Sequence, residues 1–254
     1  MTAGTALLTT DGVSKRFGGL LVSDDISIAV IPGELHAIIG PNGAGKTTLL
    51  NQIGGQLFPN AGAIFFDGTD ITAMPVAQRT RLGIGRTFQV PRIFHSFLAN
   101  ENPAVASLGR SARPPGFWTP LRDIPGVRSE ADTALDAVGL SDRAMVRAEN
   151  LSHGDRRLLE IATALAGKPR LLLLDEPMAG LGRDESLRMS ALLKSLKGGA
   201  AAILMVEHDM EAVFALADTV TVLAHGKVIA SGSPNDIRAN ALVRTSYLGD
   251  DDDA

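Results

Sequence analysis

Apolar residues along the chain follow patterns that predict strands in some segments and helices in others. Ile26, Ile28 and Val30 alternate with small or polar residues, which is typical of a strand with one buried face. Residues 171–174 are all leucine, and residues 201–206 are all apolar. Continuous apolar runs of this length are typical of parallel strands buried on both faces. The pattern therefore predicts an α/β core.

Residues 90–150 have a different pattern, in which strand signals disappear. Residues 129–138 carry apolar side chains on one helical face, with Ser129 as the expected N-cap. Residues 110–126 are rich in Pro, Gly and Arg and contain Trp118, so we interpret them as an irregular surface loop. We therefore expect a mostly helical segment inserted into the core.

A glycine-rich loop lies between a predicted strand at 36–39 and a predicted helix at 47–53. It fits the spacing G-x-x-x-x-G-K-[ST] in the context of strand and helix that this motif requires. Glycines let successive N–H groups converge on a phosphate, and the helix that follows adds the positive end of its dipole. We expect Lys46 to reach the β- and γ-phosphates of a bound nucleotide and Thr47 to bind Mg²⁺. The expected nucleotide contacts are Gly40, Pro41, Asn42, Gly43, Ala44, Gly45, Lys46, Thr47 and Thr48.

Two adjacent carboxylates, Asp175 and Glu176, follow the leucine run. The carboxyl ends of parallel strands are where α/β sheets bind ligands, and successive strand side chains point in opposite directions. Asp175 is therefore expected in the Mg²⁺ shell, and Glu176 is expected to orient or deprotonate the attacking water. His208 follows the next buried strand and could hydrogen-bond the γ-phosphate, although a single histidine there is more often structural.

Four other positions are ambiguous from spacing alone. Gln89 ends a predicted strand at 85–89, where an amide is usually only a turn residue. Ser152 and Gly154 precede an amphipathic helix, where they fit either an ordinary N-cap or an anion-binding site. Phe17 could stack on adenine, but a core position in a small sheet is the simpler interpretation.

Composition excludes several classes of function. The chain has 254 residues, of which 45% are hydrophobic and 4% aromatic, and its net charge is −4. Few aromatics and an acidic balance argue against nucleic-acid binding. Absence of cysteine excludes disulfides and thiolate chemistry. No secretory signal and no apolar run near the ~20 residues of a bilayer span are present, so we expect an intracellular protein held to a membrane only by partners.

Taken in chain order, these motifs resemble those of the ATP-binding cassette (ABC) family of transport ATPases. The resemblance rests on the glycine-rich loop, Gln89, residues 151–157, residues 171–177 and His208, and it extends along nearly the whole chain. It implies an α/β fold with a P-loop NTPase (RecA-like) core, an N-terminal antiparallel β subdomain and an inserted helical subdomain. No internal repeat is evident, so we expect a single cassette over residues 1–254. The expected parts are 1–89 (β subdomain and P-loop part of the core), 90–165 (mostly helical), 166–240 (the rest of the core) and 241–254 (a C-terminal helix and acidic tail).

The same resemblance implies roles that spacing did not. Ser152 and Gly154 match the signature motif, which binds the γ-phosphate of ATP held by a second subunit. Phe17 matches the aromatic residue that stacks on adenine, and Gln89 matches the residue that touches Mg²⁺ and relays to a membrane partner. The implied catalytic residues are Glu176, His208 and Gln89, and the implied Mg²⁺ ligands are Thr47, Gln89 and Asp175. Two departures stand out: His153 and Asp155 replace the usual Gly and Gln of the signature, and Gly182 replaces an acid that commonly contacts the other subunit.

Finer details resemble the ATPases of branched-chain amino acid importers. They are residues 17–20, 85–89, 151–154, 179–181 and 247–249. The resemblance implies two membrane permeases, a second ABC ATPase that is a copy or a paralogue, an extracytoplasmic substrate-binding protein, and a peripheral position on the cytoplasmic face of the inner membrane. Some relatives carry urea or amides, and the lipopolysaccharide export ATPase is similar. A DNA-associated ABC ATPase would need a long coiled coil between Gln89 and Ser152, and a ribosome-acting relative would carry two cassettes.

Overall fold

The computed structural model of the chain describes residues 6–88, 91–109, 124 and 126–245. The strands are β1 (Leu8–Phe17), β2 (Leu20–Val30), β3 (Leu35–Ile39), β4 (Ala61–Phe66), β5 (Thr69–Asp70), β6 (Ile84–Arg86), β7 (Leu171–Asp175), β8 (Ala202–Val206), β9 (Thr219–Ala224) and β10 (Lys227–Gly232). The α-helices are α1 (Lys46–Gly54), α2 (Val76–Leu82), α3 (Glu101–Leu108), α4 (Val127–Ala137), α5 (His153–Ala166), α6 (Arg183–Leu196), α7 (Met210–Leu216), α8 (Pro234–Ala239) and α9 (Ala241–Val243).

The central sheet has the strand order β10-β9-β3-β8-β7-β6, with β10 antiparallel to β9 and the other neighbours parallel. The leucine run forms β7, and every residue of that strand is buried. Leu171 and Leu173 belong to one apolar cluster, whereas Leu172 and Leu174 belong to the cluster on the other face. The prediction of a strand buried on both faces is therefore confirmed.

A second, antiparallel sheet of order β2-β1-β4-β5 covers one face of the core. Helix α1 contributes Leu49, Leu50 and Ile53 to the apolar cluster shared with this sheet, so the helix after the glycine-rich loop is anchored on its apolar side. Strands β1 and β2 have 10 and 11 residues, and register shifts between Thr10 and Arg16 interrupt their pairing.

Helices α3, α4 and α5 pack against one another and form the expected helical segment. The predicted N-cap at Ser129 is wrong. Helix α4 begins at Val127 after Gly126, which has φ +82°, and the Ser129 hydroxyl donates to the Gly126 carbonyl at 3.0 Å from inside the first turn. A glycine in the left-handed region can begin a helix without a capping side chain. The serine inside the first turn was therefore mistaken for the N-cap.

The overall architecture agrees with the expected α/β class, N-terminal antiparallel sheet and helical insertion. Trp118, Gln89 and the acidic end at 249–254 lie outside the described residues. The proposed division into parts at 89, 165 and 240 stays a prediction. Over the ranges that the structure describes, no helix is both long and apolar enough to cross a membrane.

Candidate functional site

The glycine-rich loop connects the end of β3 to the start of α1 at the carboxyl edge of the central sheet. Gly40 has φ +146°, and a Cβ there would collide with the Leu223 carbonyl. Gly45 has φ +99° and lies against the Val22 carbonyl, so it begins α1 without a capping side chain. The backbone therefore comes so close to its neighbours that only glycine fits, which leaves the first N–H groups of α1 free of side-chain caps for an anion.

Lys46 is the buried cation of the loop. Its ammonium donates to the carbonyls of Gly40 at 2.6 Å and Pro41 at 3.0 Å. Burial lowers the pKa of Lys46, while the nearby charges of Glu176 and Asp175 raise it. A positive charge that carbonyl oxygens hold inside the loop is well placed to meet phosphate oxygens.

Asp175 and Thr47 bring the strand end and the loop together. The Thr47 hydroxyl lies 3.4 Å from Asp175 Oδ1, and the Asp175 side chain is 5% exposed. Burial raises the pKa of Asp175, and the charge of Arg86 is the largest effect that lowers it. These oxygen donors suit Mg²⁺, which usually binds one or two carboxylates together with substrate phosphates. Within the described ranges no cluster of three or more His, Cys, Asp or Glu forms a self-sufficient metal site.

Arg86 is a site residue that the sequence did not indicate. Its guanidinium lies 3.3 Å from Asp175 Oδ2 and also donates to the Leu50 carbonyl at 3.0 Å and to Gln56 at 2.8 Å. Its side chain is 6% exposed, and burial lowers its pKa. The ion pair spans β6 and β7, whose neighbouring positions in the sheet are set by tertiary pairing rather than by any local motif.

Glu176 occupies a strained backbone position directly after β7. Its φ is +48°, in the left-handed region that bulky non-glycine residues rarely adopt. Its N–H donates to the Val206 carbonyl at 2.9 Å. Glu176 therefore lies in the turn after β7, whereas Asp175 is the last residue of the strand.

His208 follows β8 at the same edge of the sheet, and its side chain is 58% exposed. The residue before it, Glu207, is fully buried. Its carboxylate accepts the N–H of Met178 at 2.8 Å and that of His208 at 3.1 Å. The segments that carry Glu176 and His208 are therefore tied to each other through one buried acid.

Ser152 and Gly154 are placed apart from the loop, at the start of α5. Ser152 is a true N-cap because its hydroxyl accepts the Asp155 N–H at 3.0 Å. The Gly154 N–H donates to Glu185 Oε1 at 3.2 Å, and the Ser152 hydroxyl lies 3.5 Å from the same oxygen. Among the described residues, no hydrogen bond joins these two residues to the glycine-rich loop. Their donors already face an anionic oxygen, here one supplied by the same chain.

Phe17 ends β1 opposite Leu20 and is 50% exposed, so the core interpretation of this residue is wrong. The Lys15 ammonium lies 5.6 Å from the centre of its ring. An exposed ring on the hairpin that also contains Val22, the neighbour of Gly45, is available for stacking.

Gln89 lies outside the described residues, but the backbone on each side of it is held by α5. Glu160 accepts the N–H of Phe88 at 3.0 Å and that of Arg92 at 3.1 Å, and Arg157 donates to the Phe88 carbonyl at 2.8 Å. Burial raises the pKa of Glu160. Sequence reasoning missed this pair because it assigned α5 only an apolar stripe and a cap.

Comparison with known families gives two matches. A family described as ABC transporter matches residues 23–179. A family described as branched-chain amino acid ATP-binding cassette transporter matches residues 227–253.

Individual relatives are similar over almost the whole chain. The high-affinity branched-chain amino acid transport ATP-binding protein LivG of Escherichia coli (strain K12) is 36% identical, covering 96% of this chain and 98% of the relative. The lipopolysaccharide export system ATP-binding protein LptB of Acidithiobacillus ferridurans is 34% identical, covering 96% of this chain and 97% of the relative. A crystal structure of the ADP conformation of an ATP-binding cassette superposes with a TM-score of 0.84 at 29% identity, covering 97% of this chain and all of that one.

Proposed function

Because the chain belongs to the ABC transporter family of ATPases, we propose that it is the ATP-hydrolysing subunit of an importer for branched-chain or other small amino acids. Cassettes of this family bind ATP or ADP, work with membrane permease subunits and dimerise. The observation that carries the proposal is that the loop and the end of β7 meet: the Thr47 hydroxyl lies 3.4 Å from Asp175 Oδ1, and the charges of Glu176 and Asp175 raise the pKa of Lys46 against the effect of burial. A positioned cation and carboxylates beside a loop of backbone N–H groups are what phosphoryl transfer requires.

The proposed mechanism is a clamp made of two cassettes arranged head to tail. Lys46 and Thr47 of one cassette bind ATP, and Ser152 and Gly154 of the other contact its γ-phosphate. ATP then stabilises the closed dimer because it interacts with both halves only in that state. Hydrolysis removes this bridge, and the dimer opens.

Within the clamp, each residue of the site has a proposed part. Glu176 orients or deprotonates the attacking water, and His208 contacts the γ-phosphate. Thr47, Asp175 and Gln89 would hold Mg²⁺, which would supply positive charge to the phosphate oxygens. Phe17 stacks on the adenine. The remaining loop residues bind the phosphates through backbone N–H groups.

The substrate proposal rests on relatives rather than on the site, since a cassette does not touch the transported molecule. The match over residues 227–253 and the similarity to LivG favour amino acid import. The alternatives are urea or amide uptake and, from the similarity to LptB, lipopolysaccharide export. Identification of the permeases that copurify with the chain distinguishes them.

We propose that the permease contact surrounds Gln89 and continues to Phe97. Phe94 is 53% exposed and Phe97 is 37% exposed, and their rings stack at 5.0 Å between centroids. An exposed aromatic pair of this kind is typical of a protein–protein contact. Further proposed partners are a second cassette, as a copy or a paralogue, and indirectly an extracytoplasmic binding protein. The chain would then sit peripherally on the cytoplasmic face of the membrane.

The variant Glu176→Gln tests the assignment of the catalytic base. The amide has nearly the same size as the carboxylate but cannot accept a proton. We therefore expect the variant to bind ATP and form a stable closed dimer, and to hydrolyse ATP at least about 10²-fold more slowly than the parent. Light scattering with ATP and release of inorganic phosphate measure the two properties. Glu211→Gln, a change of another carboxylate in a nearby helix, serves as the control. Hydrolysis by Glu176→Gln at the parental rate would contradict the assignment.

A further inference from the structure

Glu207 is a buried carboxylate that the proposed mechanism does not use. It follows β8, is fully buried and accepts hydrogen bonds on both oxygens. Burial raises its pKa, and N–H groups of Met178, His208 and Asp209 lower it. Burial of a carboxylate costs free energy unless the group is hydrogen-bonded. An apolar residue of similar volume would pack equally well in the core. Its place in the fold therefore calls for a role beyond packing.

The two bonds of Glu207 reach the segments that carry the proposed catalytic residues. Met178 lies two residues after Glu176, and the intervening Pro177 has no N–H, so Met178 offers the first backbone donor beyond Glu176. On its other side Glu176 donates its own N–H to Val206 at 2.9 Å. Glu176 is thus held from both directions by the end of β8.

This double restraint acts on a backbone that would not keep its conformation unaided. The φ of +48° at Glu176 costs free energy, and such residues persist only where surrounding structure holds them. The Val206 carbonyl fixes the N–H of Glu176, and the Glu207 carboxylate fixes the turn beyond it at 2.8 Å. The other carboxylate oxygen fixes the backbone of His208 at 3.1 Å.

We propose that Glu207 is a positioning residue for ATP hydrolysis, which sets the Glu176 segment and the His208 segment at a fixed spacing around the γ-phosphate. The inference rests on the proposed role of Glu176 as catalytic base. Glu207 does not touch the nucleotide, and it acts by keeping the Glu176 carboxylate where it can orient the water. A misplacement of about 1 Å in such a group can cost about 10²-fold in rate.

The variant Glu207→Gln tests the proposal with little change in volume. Its amide has a single acceptor oxygen, so its NH₂ must face an N–H on one of the two segments. We expect kcat to fall about 10-fold or more while KM for MgATP changes less than about 2-fold, because the loop that binds the phosphates is untouched. Glu34→Gln is the matched control. Glu34 is also buried and bonds His36 at 2.9 Å, but it precedes β3 at the opposite edge of the sheet, so kcat should stay parental.

The double variant Glu176→Gln/Glu207→Gln separates positioning from general damage. If Glu207 acts by positioning Glu176 and His208, the factor by which Glu207→Gln lowers kcat is much smaller in the Glu176→Gln background than in the parent, because only the His208 contribution remains to be lost. The same factor in both backgrounds, a matching rise in KM, or parental kcat in Glu207→Gln overturns the inference. The failure of the base assignment is visible separately, as parental turnover in Glu176→Gln.

A second substitution covers the case in which Glu207→Gln folds poorly. Glu207→Asp keeps the charge but shortens the reach by one methylene, so it can hold only one of the two segments. We expect it to show the same split, lower kcat with unchanged KM, and a thermal unfolding midpoint measured by circular dichroism confirms that it is folded. Parental kcat in folded Glu207→Asp also overturns the inference.

Discussion

The protonation of Lys46 is expected to control how the affinity of the site for nucleotide depends on pH. In the nucleotide-free chain burial lowers its pKa, against the opposing charges of Glu176 and Asp175. Bound phosphates favour the charged ammonium, so the pKa of Lys46 is higher in the complex. At a pH below the lowered pKa, Lys46 is charged both with and without ATP, so ATP binding neither takes up nor releases a proton at Lys46. As pH rises through that lowered pKa, only the complex keeps the proton, so ATP binding takes up a proton and affinity falls.

Calorimetric titration of ATP in two buffers of different ionisation enthalpy measures this uptake. We expect proton uptake to increase towards one proton per ATP as pH rises through the lowered pKa of Lys46, with affinity falling by at most about tenfold per pH unit. Lys46→Arg is the control, since its guanidinium stays charged throughout this range. Equal proton uptake in parent and control would rule out Lys46 as the titrating group.

At this scale the sequence predicted the residues whose role depends on a local motif. Lys46, Thr47 and Asp175 lie together as the loop spacing and the strand end indicated. Arg86 and Glu207 were missed because their partners belong to other strands, and a one-dimensional pattern does not show which strands are neighbours. The strain at Glu176 also has no sequence signal, because φ is set by the turn that holds it.

At the scale of elements, Arg79 holds the helix that begins at the phosphate loop. It lies on α2, is 1% exposed, and donates to the carbonyls of Gln52 at 2.6 Å and Ile53 at 2.8 Å in the last turns of α1. It also donates to the carbonyls of Met74 and Thr72. Burial lowers the pKa of Arg79 to about 10. The sequence did not indicate this role, since nothing local distinguishes a buried arginine from an exposed one.

Arg79→Met should therefore destabilise the chain strongly. The thioether donates no hydrogen bonds and leaves carbonyls buried at the end of α1, so we expect a loss of about 3 kcal/mol in the free energy of unfolding. Urea unfolding measures it as a lower midpoint with an unchanged m value. Arg81→Met, an exposed neighbour on the same helix, should change the free energy by less than about 0.5 kcal/mol. Equal effects of the two substitutions would show that the Arg79 bonds do not matter.

For the whole molecule, the chain order of motifs predicted the family and the layers of the fold, because each motif requires a strand or a helix beside it. The resemblance, rather than any local pattern, implied that Ser152 and Gly154 contact ATP held by a second subunit. Ser152 and Gly154 bond Glu185, while Lys46 bonds its own loop. Among the described residues, Ser152 and Gly154 therefore make no hydrogen bond to the phosphate loop of their own chain. We propose that a second cassette supplies these two residues to that loop.

A mixing experiment tests this composite site. Lys46→Ala removes the phosphate contact, and Ser152→Arg places a bulky side chain at the start of α5, so each variant alone should have very low ATPase activity. In a head-to-tail dimer that contains one copy of each variant, one ATP site carries both substitutions. The other site has an intact Lys46 and an intact Ser152. Random pairing of equal amounts should restore about a quarter of the parental sites. Activity measured against the mixing ratio should peak near equal amounts. If the parental chain shows cooperative ATP hydrolysis and the mixture shows no recovery at any ratio, then Ser152 does not complete the site of a second copy.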